Sequence, residues 1–280
     1  MIVYYNNNFS SVEEVHISPF DRGLFFSDSV YEVMRTYNRK VFYSDKHIER
    51  LCYSLNELKI PLIDFLELEK IIMQLADYNN ISNDFSIYLQ VTRGTDFPRT
   101  HSFDTSILPN IFIYVSAIKN HDEELKNGVK VILEKDTRWE RCDIKSTALI
   151  STVLANKKAQ DKKCYEAFFY RNNKLTEGSH TNIFAVKDSQ IFTTPLSNFI
   201  LKGITRGVVI QICNDNHIPI IEDFININDL QNYDEFFITG TTTEVTPVIN
   251  INDKSIGDGT PGSITRKLQK KFFDLTSNFQ

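Results

Sequence analysis

The stretch NIFIYVSAIKNHDEELKNGVKVILEKD (110–136) decides the architecture. It begins as an apolar run of Ile, Phe, Tyr and Val, the composition of a strand with at least one buried face. KNHDEELKNG (119–128) interrupts it with polar residues that show no aliphatic periodicity, and a second β-branched run, VKVILEKD, starts at Val129. A polar connection between two strand runs marks the boundary of separately built domains, predicted here as 1–120 and 121–280. With 280 residues, the chain is long enough for two cores.

On the N-terminal side the pattern reads strand, turn, strand, helix. IVYYNNNFSS and VYEVMRTYNRKVFYS are β-rich runs, the second broken by an NRK turn. Ser44 or Asp45 caps a predicted helix through KHIERLCYSLNELKI, which Pro61 ends. FLELEKIIMQLADYNN is a second helix, and FSIYLQVTRG and NIFIYVSAI are two more strands. On the C-terminal side, a helix near STALISTVLANKKAQDKK precedes strands YEAFFYR, IFAVK and QIFTT. A helix from Thr205 to about Asn216 and a strand DEFFITG follow. Strands flanking helices in both halves predict an α+β protein of two domains, with a ligand expected in the cleft between them.

Hydrophobic content of 41% and charged content of 24% are those of a soluble globular chain. A net charge of −5 argues against a nucleic-acid or acidic-membrane partner, which would need a basic face. No apolar run approaches the roughly 20 residues that span a bilayer. The start, MIVYYNNNFSSVEEV, lacks the basic segment and apolar run of a signal peptide. Cys52, Cys142, Cys164 and Cys213 fit no zinc spacing and are too sparse for a disulfide framework, so no metal and a cytoplasmic location are expected.

Several residues are candidates for chemistry. Lys145 lies in RWERCDIKS (138–146), where Arg138 and Arg141 could lower its ammonium pKa by repulsion, although most lysines are simply solvated charges. Glu177, in TEGSHTN (176–182), reads either as a solvated hairpin carboxylate or as a partner for a heterocyclic nitrogen. LKGITR (201–206) puts Gly203, Ile204 and Thr205 at a helix start, whose unpaired amides suit a phosphate as well as they suit an ordinary N-cap. TGTTTEV (239–245) is a second loop of hydroxyls and amides, and neither loop has the pattern of a nucleotide triphosphate site. In TRGTDFPRTHSF (92–103), Arg99 and His101 stand two apart, so an extended backbone would send both to one side, towards a carboxylate. Arg50 in HIERL could pair on a helix surface or reach a phosphate, and Tyr31 could pack in the core or point its hydroxyl at a ligand.

In this order and spacing, DRGLFFSDSVYEV, HIERL, TRG with PRTH, RWERCDIKS, TEGSHTN, LKGITR and TTTEVTPV resemble the class IV, fold-type IV pyridoxal-phosphate aminotransferases, nearly from end to end. Within that family the sequence looks most like the bacterial D-amino acid-specific branch. The resemblance implies a smaller N-terminal α/β domain and a larger C-terminal domain of helices and a β-barrel-like sheet. It implies pyridoxal 5′-phosphate in the cleft, joined to Lys145 as a Schiff base, with Glu177 on the pyridine nitrogen. Arg50, Ile204, Thr205 and Thr241, with Gly203, match positions around the phosphate; Leu201 matches the residue beneath the ring, and Arg138 a neighbour of the lysine. Tyr31, Arg99 and His101 match the substrate-carboxylate clamp, the last two reaching over from the partner of a homodimer.

The implied reaction moves an amino group between a D-amino acid such as D-alanine and a 2-oxo acid such as 2-oxoglutarate. Two alternatives share the fold and cofactor: 4-amino-4-deoxychorismate lyase and branched-chain L-amino acid aminotransferase. His180 and Gly240 stand where the D-specific branch usually has serine, and both are expected beside the cofactor. Asp96–Phe97 lengthens the loop before Arg99.

Overall fold

The computed structural model describes residues 1–279, which form two compact units. The first comprises residues 1–119, 144–148 and 279; the second comprises 120–143 and 149–278. Lys145 therefore belongs to the first unit, although it lies in sequence beyond the boundary predicted at residue 120.

The first unit is built from β1 (Ile2–Tyr5), β2 (Asn8–Ser11), α1 (Arg22–Phe26), β3 (Ser29–Tyr37), β4 (Lys40–Val41), α2 (Ser44–Glu57), α3 (Leu68–Tyr78), β5 (Phe85–Thr92) and β6 (Asn110–Ala117). Its sheet runs β2-β1-β6-β5-β3-β4, with every neighbouring pair antiparallel. Residues of β5 alternate strictly between buried and half-buried, and Phe85, Ile87, Leu89 and Val91 point into the core. They meet Leu51 and Leu55 of α2 and Ile72 and Leu75 of α3 there, each contributing about 1.5 to 3 kcal/mol by leaving water. Neither Ser44 nor Asp45 is the N-cap of α2. Tyr43, in the left-handed region, occupies that position, while the Ser44 hydroxyl bonds Glu69 of α3 and ties the two helices together.

The second unit holds α4 (Asp122–Asn127), β7 (Val129–Lys135), α5 (Ile150–Asp161), β8 (Glu166–Arg171), β9 (Lys174–Gly178), β10 (Asn182–Lys187), β11 (Gln190–Thr193), α6 (Ile204–Asp215), β12 (Ile220–Glu222), β13 (Glu235–Gly240), β14 (Glu244–Ile251), β15 (Lys254–Ser255) and α7 (Ser263–Ser277). Its mixed sheet runs β12-β11-β10-β13-β14-β7-β8-β9, with β15 on β14. The polar connection at 119–128 is partly helical, since Asp122, Glu123 and Glu124 fill the first turn of α4 and favour its dipole. The TGTTTEV loop is shorter than its composition suggested: only Thr241–Thr243 turn, and β14 begins at Glu244. Among the described residues no helix is long and apolar enough to cross a membrane, and no His, Cys, Asp and Glu cluster could hold a metal ion.

Candidate active site

In the first unit, the segment bearing Lys145 lies along β3. Tyr31 N–H donates to the Lys145 carbonyl at 3.0 Å, and Val30 and Ser146 form an antiparallel bridge. Lys145 N–H donates to Ser54 Oγ of α2 at 3.2 Å, so its backbone is held on two sides. The side chain is half-buried, with Nζ 4.3 Å from the centroid of the Tyr31 ring. The two arginines that precede Lys145 in its motif are each paired with carboxylates. Arg141 pairs with Asp143 at 2.9 Å, and Arg138 with Asp136 and Glu177.

Arg50 is buried on α2 and forks onto Glu32 of β3, Nε to Oε1 at 2.8 Å and Nη2 to Oε2 at 2.7 Å. His47, one turn earlier, shares the same carboxylate, with Nδ1 2.7 Å from Oε2. Burial alone would raise the Glu32 carboxyl, but the charge and hydrogen bonds of Arg50, helped by His47, hold it down at about 2. Burial also lowers His47, against the opposing pull of Glu32, so the imidazole is neutral and its Nδ1–H donates. Sequence reasoning singled out Arg50, as a surface ion-pair or phosphate-reaching residue, and overlooked both of these partners. In β3, the alternation that turns Tyr31 outward turns Glu32 inward, and an inward carboxylate was the available signal.

Arg99 and His101 are exposed and do come together, on Phe26: the guanidinium lies 4.5 Å from that ring and the imidazole 5.5 Å, tilted. Their loop is anchored by buried Arg22, which donates to the carbonyls of Thr100 at 2.9 Å and Ser102 at 3.2 Å. Asp28 accepts from both Arg22 and Arg93, which sequence reasoning also left unassigned. Tyr31 packs elsewhere in the unit, stacked on Tyr88 at 5.7 Å.

In the second unit Glu177 is the last residue but one of β9 and is buried. Oε1 accepts from Arg138 Nη1 at 2.6 Å, and Oε2 from Leu201 N–H at 2.9 Å and Asn182 Nδ2 at 3.3 Å. Burial raises its carboxyl, and Arg138 with the Leu201 amide works against that rise. The hairpin reading of Glu177 as a solvated charge is thereby excluded. Leu201 offers its backbone to Glu177 and its carbonyl to Asn182 Nδ2 at 3.0 Å.

Gly203 precedes α6 in extended conformation, and a Cβ placed there would overlap Asn182 Oδ1. Ile204 is half-buried and Thr205 buried, as first residues of a twelve-residue helix whose leading amides face outward from its N-terminus. Thr241 opens the turn before β14, which Thr246 Oγ1 steadies by donating to the Thr243 carbonyl at 2.7 Å. His180 is 41% exposed; its Nδ1 lies 3.2 Å from Ser179 Oγ and 3.4 Å from Oε2 of buried Glu166, and its ring tilts on Tyr165 at 5.5 Å. A Cβ on Gly240 would find only ordinary contacts, with Thr243 and the His180 carbonyl, so the missing side chain leaves room there. Chemically, this unit presents a fixed carboxylate acceptor, a helix start and a hydroxyl-rich turn.

A family model described as amino-transferase class IV matches residues 29–251. The chain belongs to the class IV aminotransferases. A D-alanine aminotransferase of Staphylococcus haemolyticus is 39% identical over 272 residues, 96% of each chain. One of Bacillus licheniformis is 40% identical over 270 residues, 96% of this chain and 95% of the relative. Among solved structures, a branched-chain amino acid aminotransferase of Escherichia coli superposes with a TM-score of 0.91 at 23% identity, covering 99% of this chain and 94% of that one. A putative branched-chain amino acid aminotransferase of Thermotoga maritima gives 0.82 at 28% identity, covering 99% and 96%. The two-domain α+β fold expected of the family is the fold observed.

Proposed function

We propose that this class IV aminotransferase uses pyridoxal 5′-phosphate on Lys145 to exchange an amino group between a D-amino acid, such as D-alanine, and a 2-oxo acid, such as 2-oxoglutarate. The cofactor is that of the family. The observation that carries the reading is Glu177, buried with both oxygens fixed by donors, an arrangement suited to holding a protonated ring nitrogen. The identity of about 40% to D-alanine aminotransferases over 96% of the chain supports the D-amino acid as substrate.

The residues present fit the cofactor. A phosphate would take the amides of Gly203, Ile204 and Thr205 with Thr241 and Arg50, and Leu201 would lie beneath the ring. When bound, pyridoxal phosphate supplies a carbon that accepts the amino group and a ring that takes up the electron pair left at the substrate Cα. The Lys145 amine would take the Cα proton from the substrate and return it. Glu177 holds the proton at the ring nitrogen while it does so. Tyr31 and the partner subunit's Arg99 and His101 bind the substrate carboxylate in a homodimer, on the side that presents the Cα proton of a D-amino acid to Lys145. Location in the cytoplasm fits four unpaired cysteines.

A coupled assay tests this directly. With D-alanine and 2-oxoglutarate, pyruvate appears and is read by lactate dehydrogenase; Arg99→Ala raises KM for D-alanine about 10- to 100-fold, as loss of charged hydrogen bonds does. Turnover confined to L-leucine and L-isoleucine would refute the proposal. So would pyruvate formed from aminodeoxychorismate with no oxo-acid acceptor, which marks the lyase.

A further inference from the structure

Glu177 is one end of a chain of buried charges. Asp136, the first residue after β7, is 6% exposed and accepts three bonds from Arg138: from N at 3.1 Å and Nε at 3.0 Å on Oδ1, and from Nη2 at 2.9 Å on Oδ2. Asp136 Oδ2 also accepts from Thr176 Oγ1 at 3.2 Å, so it is tied to the strand residue immediately before Glu177. The remaining arm of the guanidinium, Nη1, reaches Glu177 Oε1 at 2.6 Å, and Nη2 adds a contact to the Phe199 carbonyl at 3.3 Å. The flat of the guanidinium rests on Phe169, 4.5 Å from the ring centroid. All three nitrogens of Arg138 are thus committed to protein acceptors. Arg138, expected beside the cofactor, bonds the carboxylate expected to hold its ring nitrogen.

We infer that Arg138 is a positioning residue, fixed by Asp136, which keeps the proton shared between Glu177 and the cofactor's ring nitrogen on the nitrogen. The inference rests on the pyridoxal phosphate reading above. A carboxylate and a pyridine in hydrogen-bond contact share one proton, which stays with the stronger base of the two. Burial makes Glu177 a stronger base than an ordinary glutamate, and Arg138 opposes this by charge and by a direct bond. The other charged and titratable groups here keep the balance. Arg171 Nε lies 3.1 Å from Asp136 Oδ2, and Cys142 is buried with its thiol pushed up to about 12, so it stays neutral. Asp136, despite burial, is held below the ordinary carboxylate range by Arg138 and Arg171 and remains the anchor of the guanidinium. The buried carboxylates of Asp136 and Glu177 therefore face the guanidiniums of Arg138 and Arg171, with exposed Glu140 3.9 Å from the outer side of Arg171, so neither buried carboxylate lacks a cation beside it. An arginine suits this role because its planar fork holds Asp136 with one edge while a third nitrogen is aimed elsewhere, a geometry lysine cannot copy in full.

The test uses holoenzyme loaded with pyridoxal phosphate carrying 15N in the ring, whose chemical shift separates pyridinium from neutral pyridine. The native protein shows the pyridinium shift near pH 7.5, and Arg138→Met moves it towards neutral pyridine. Arg138→Lys restores most of the shift, and Asp136→Asn, which leaves Arg138 beside Glu177 but without its fork, gives an intermediate value. In Arg138→Met, kcat falls about 10- to 100-fold, the usual cost of removing an orienting partner, while KM for D-alanine stays within about threefold. An unchanged pyridinium signal in Arg138→Met, or in Asp136→Asn where the Met variant does not fold, overturns the inference. Native protein that holds no labelled cofactor overturns the parent reading instead.

Discussion

Glu32 is fully enclosed in the first unit, yet Arg50 and His47 keep it ionised, with its carboxyl at about 2 against an ordinary 4.5. A carboxyl lowered on folding adds stability above its unfolded value and loses it as pH falls towards the folded one. The shift corresponds to about 3 kcal/mol, complete above roughly pH 5 and fading towards pH 2. His47 acts in the same direction: burial lowers it, so below its ordinary 6.5 the unfolded chain takes a proton that the folded chain refuses. Stability to guanidinium chloride should therefore fall continuously from about pH 6.5 down to pH 3. Glu32→Gln should cost about 3 to 5 kcal/mol at neutral pH, since it leaves Arg50 buried against a neutral amide, and should flatten the slope below pH 5. Equal slopes in the two proteins would show that another carboxyl governs the acid limb. The candidate positions could be named from the sequence because they sit in motifs whose order and spacing match the family, whereas Glu32, Asp136 and Asn182 bond such residues only once the fold brings them near. Lys145 stands out in the sequence by its motif, and the structure adds that the two arginines before it are paired with carboxylates.

At the level of elements, the start of α6 shows how closely the Glu177 strand, β10 and this helix are fitted. Gly203 has no Cβ because Asn182 Oδ1 occupies that volume, and Asn182 in turn donates to the Leu201 carbonyl and to Glu177. Gly203→Ala must push Asn182 aside, which costs about 1 to 3 kcal/mol by overpacking and loosens Glu177. Gly207, one turn into the same helix, has nothing within 4 Å of an added Cβ. Gly207→Ala should therefore stabilise by about 0.5 to 1 kcal/mol through helix propensity alone. Urea unfolding of both variants, with cofactor retention on gel filtration, separates the two effects: only Gly203→Ala should lose cofactor. If both lost it, the helix as a whole rather than its first turn would be responsible. Strands and long helices were readable from apolar periodicity, as in β5 and α3. Short elements and element starts were not: the six-residue α4 hides in a charged connection, and the first two residues of β14 lie inside what reads as a threonine-rich loop, because so few residues carry too little pattern to separate turn from strand.

For the whole molecule, the proposal that Arg99 and His101 serve the partner subunit's site has a consequence that a self-contained site does not share. Both residues lie on an exposed loop, held from behind by Arg22 and resting on Phe26, so the loop presents its charged groups to the outside of the first unit. Consider Lys145→Ala and Arg99→Ala, each nearly inactive as a homodimer when D-alanine is kept well below the raised KM of the arginine variant. In a mixed dimer, one site lacks the lysine and also receives the truncated arginine. The other keeps its own Lys145 and receives an intact Arg99 from the partner. Co-unfolding and refolding equal amounts makes half the dimers mixed, each with one complete site, so activity should return to about a quarter of the native level by two-fold symmetry. If each subunit used its own arginine, no combination would assemble a complete site and the mixture would stay as inactive as its parents. Light scattering on the same samples, showing a mass near twice the 32.5 kDa of one chain, establishes that dimers formed before either result is read. The experiment thus decides whether the substrate clamp is a property of the chain or of the assembly, which the order of motifs along one sequence cannot express.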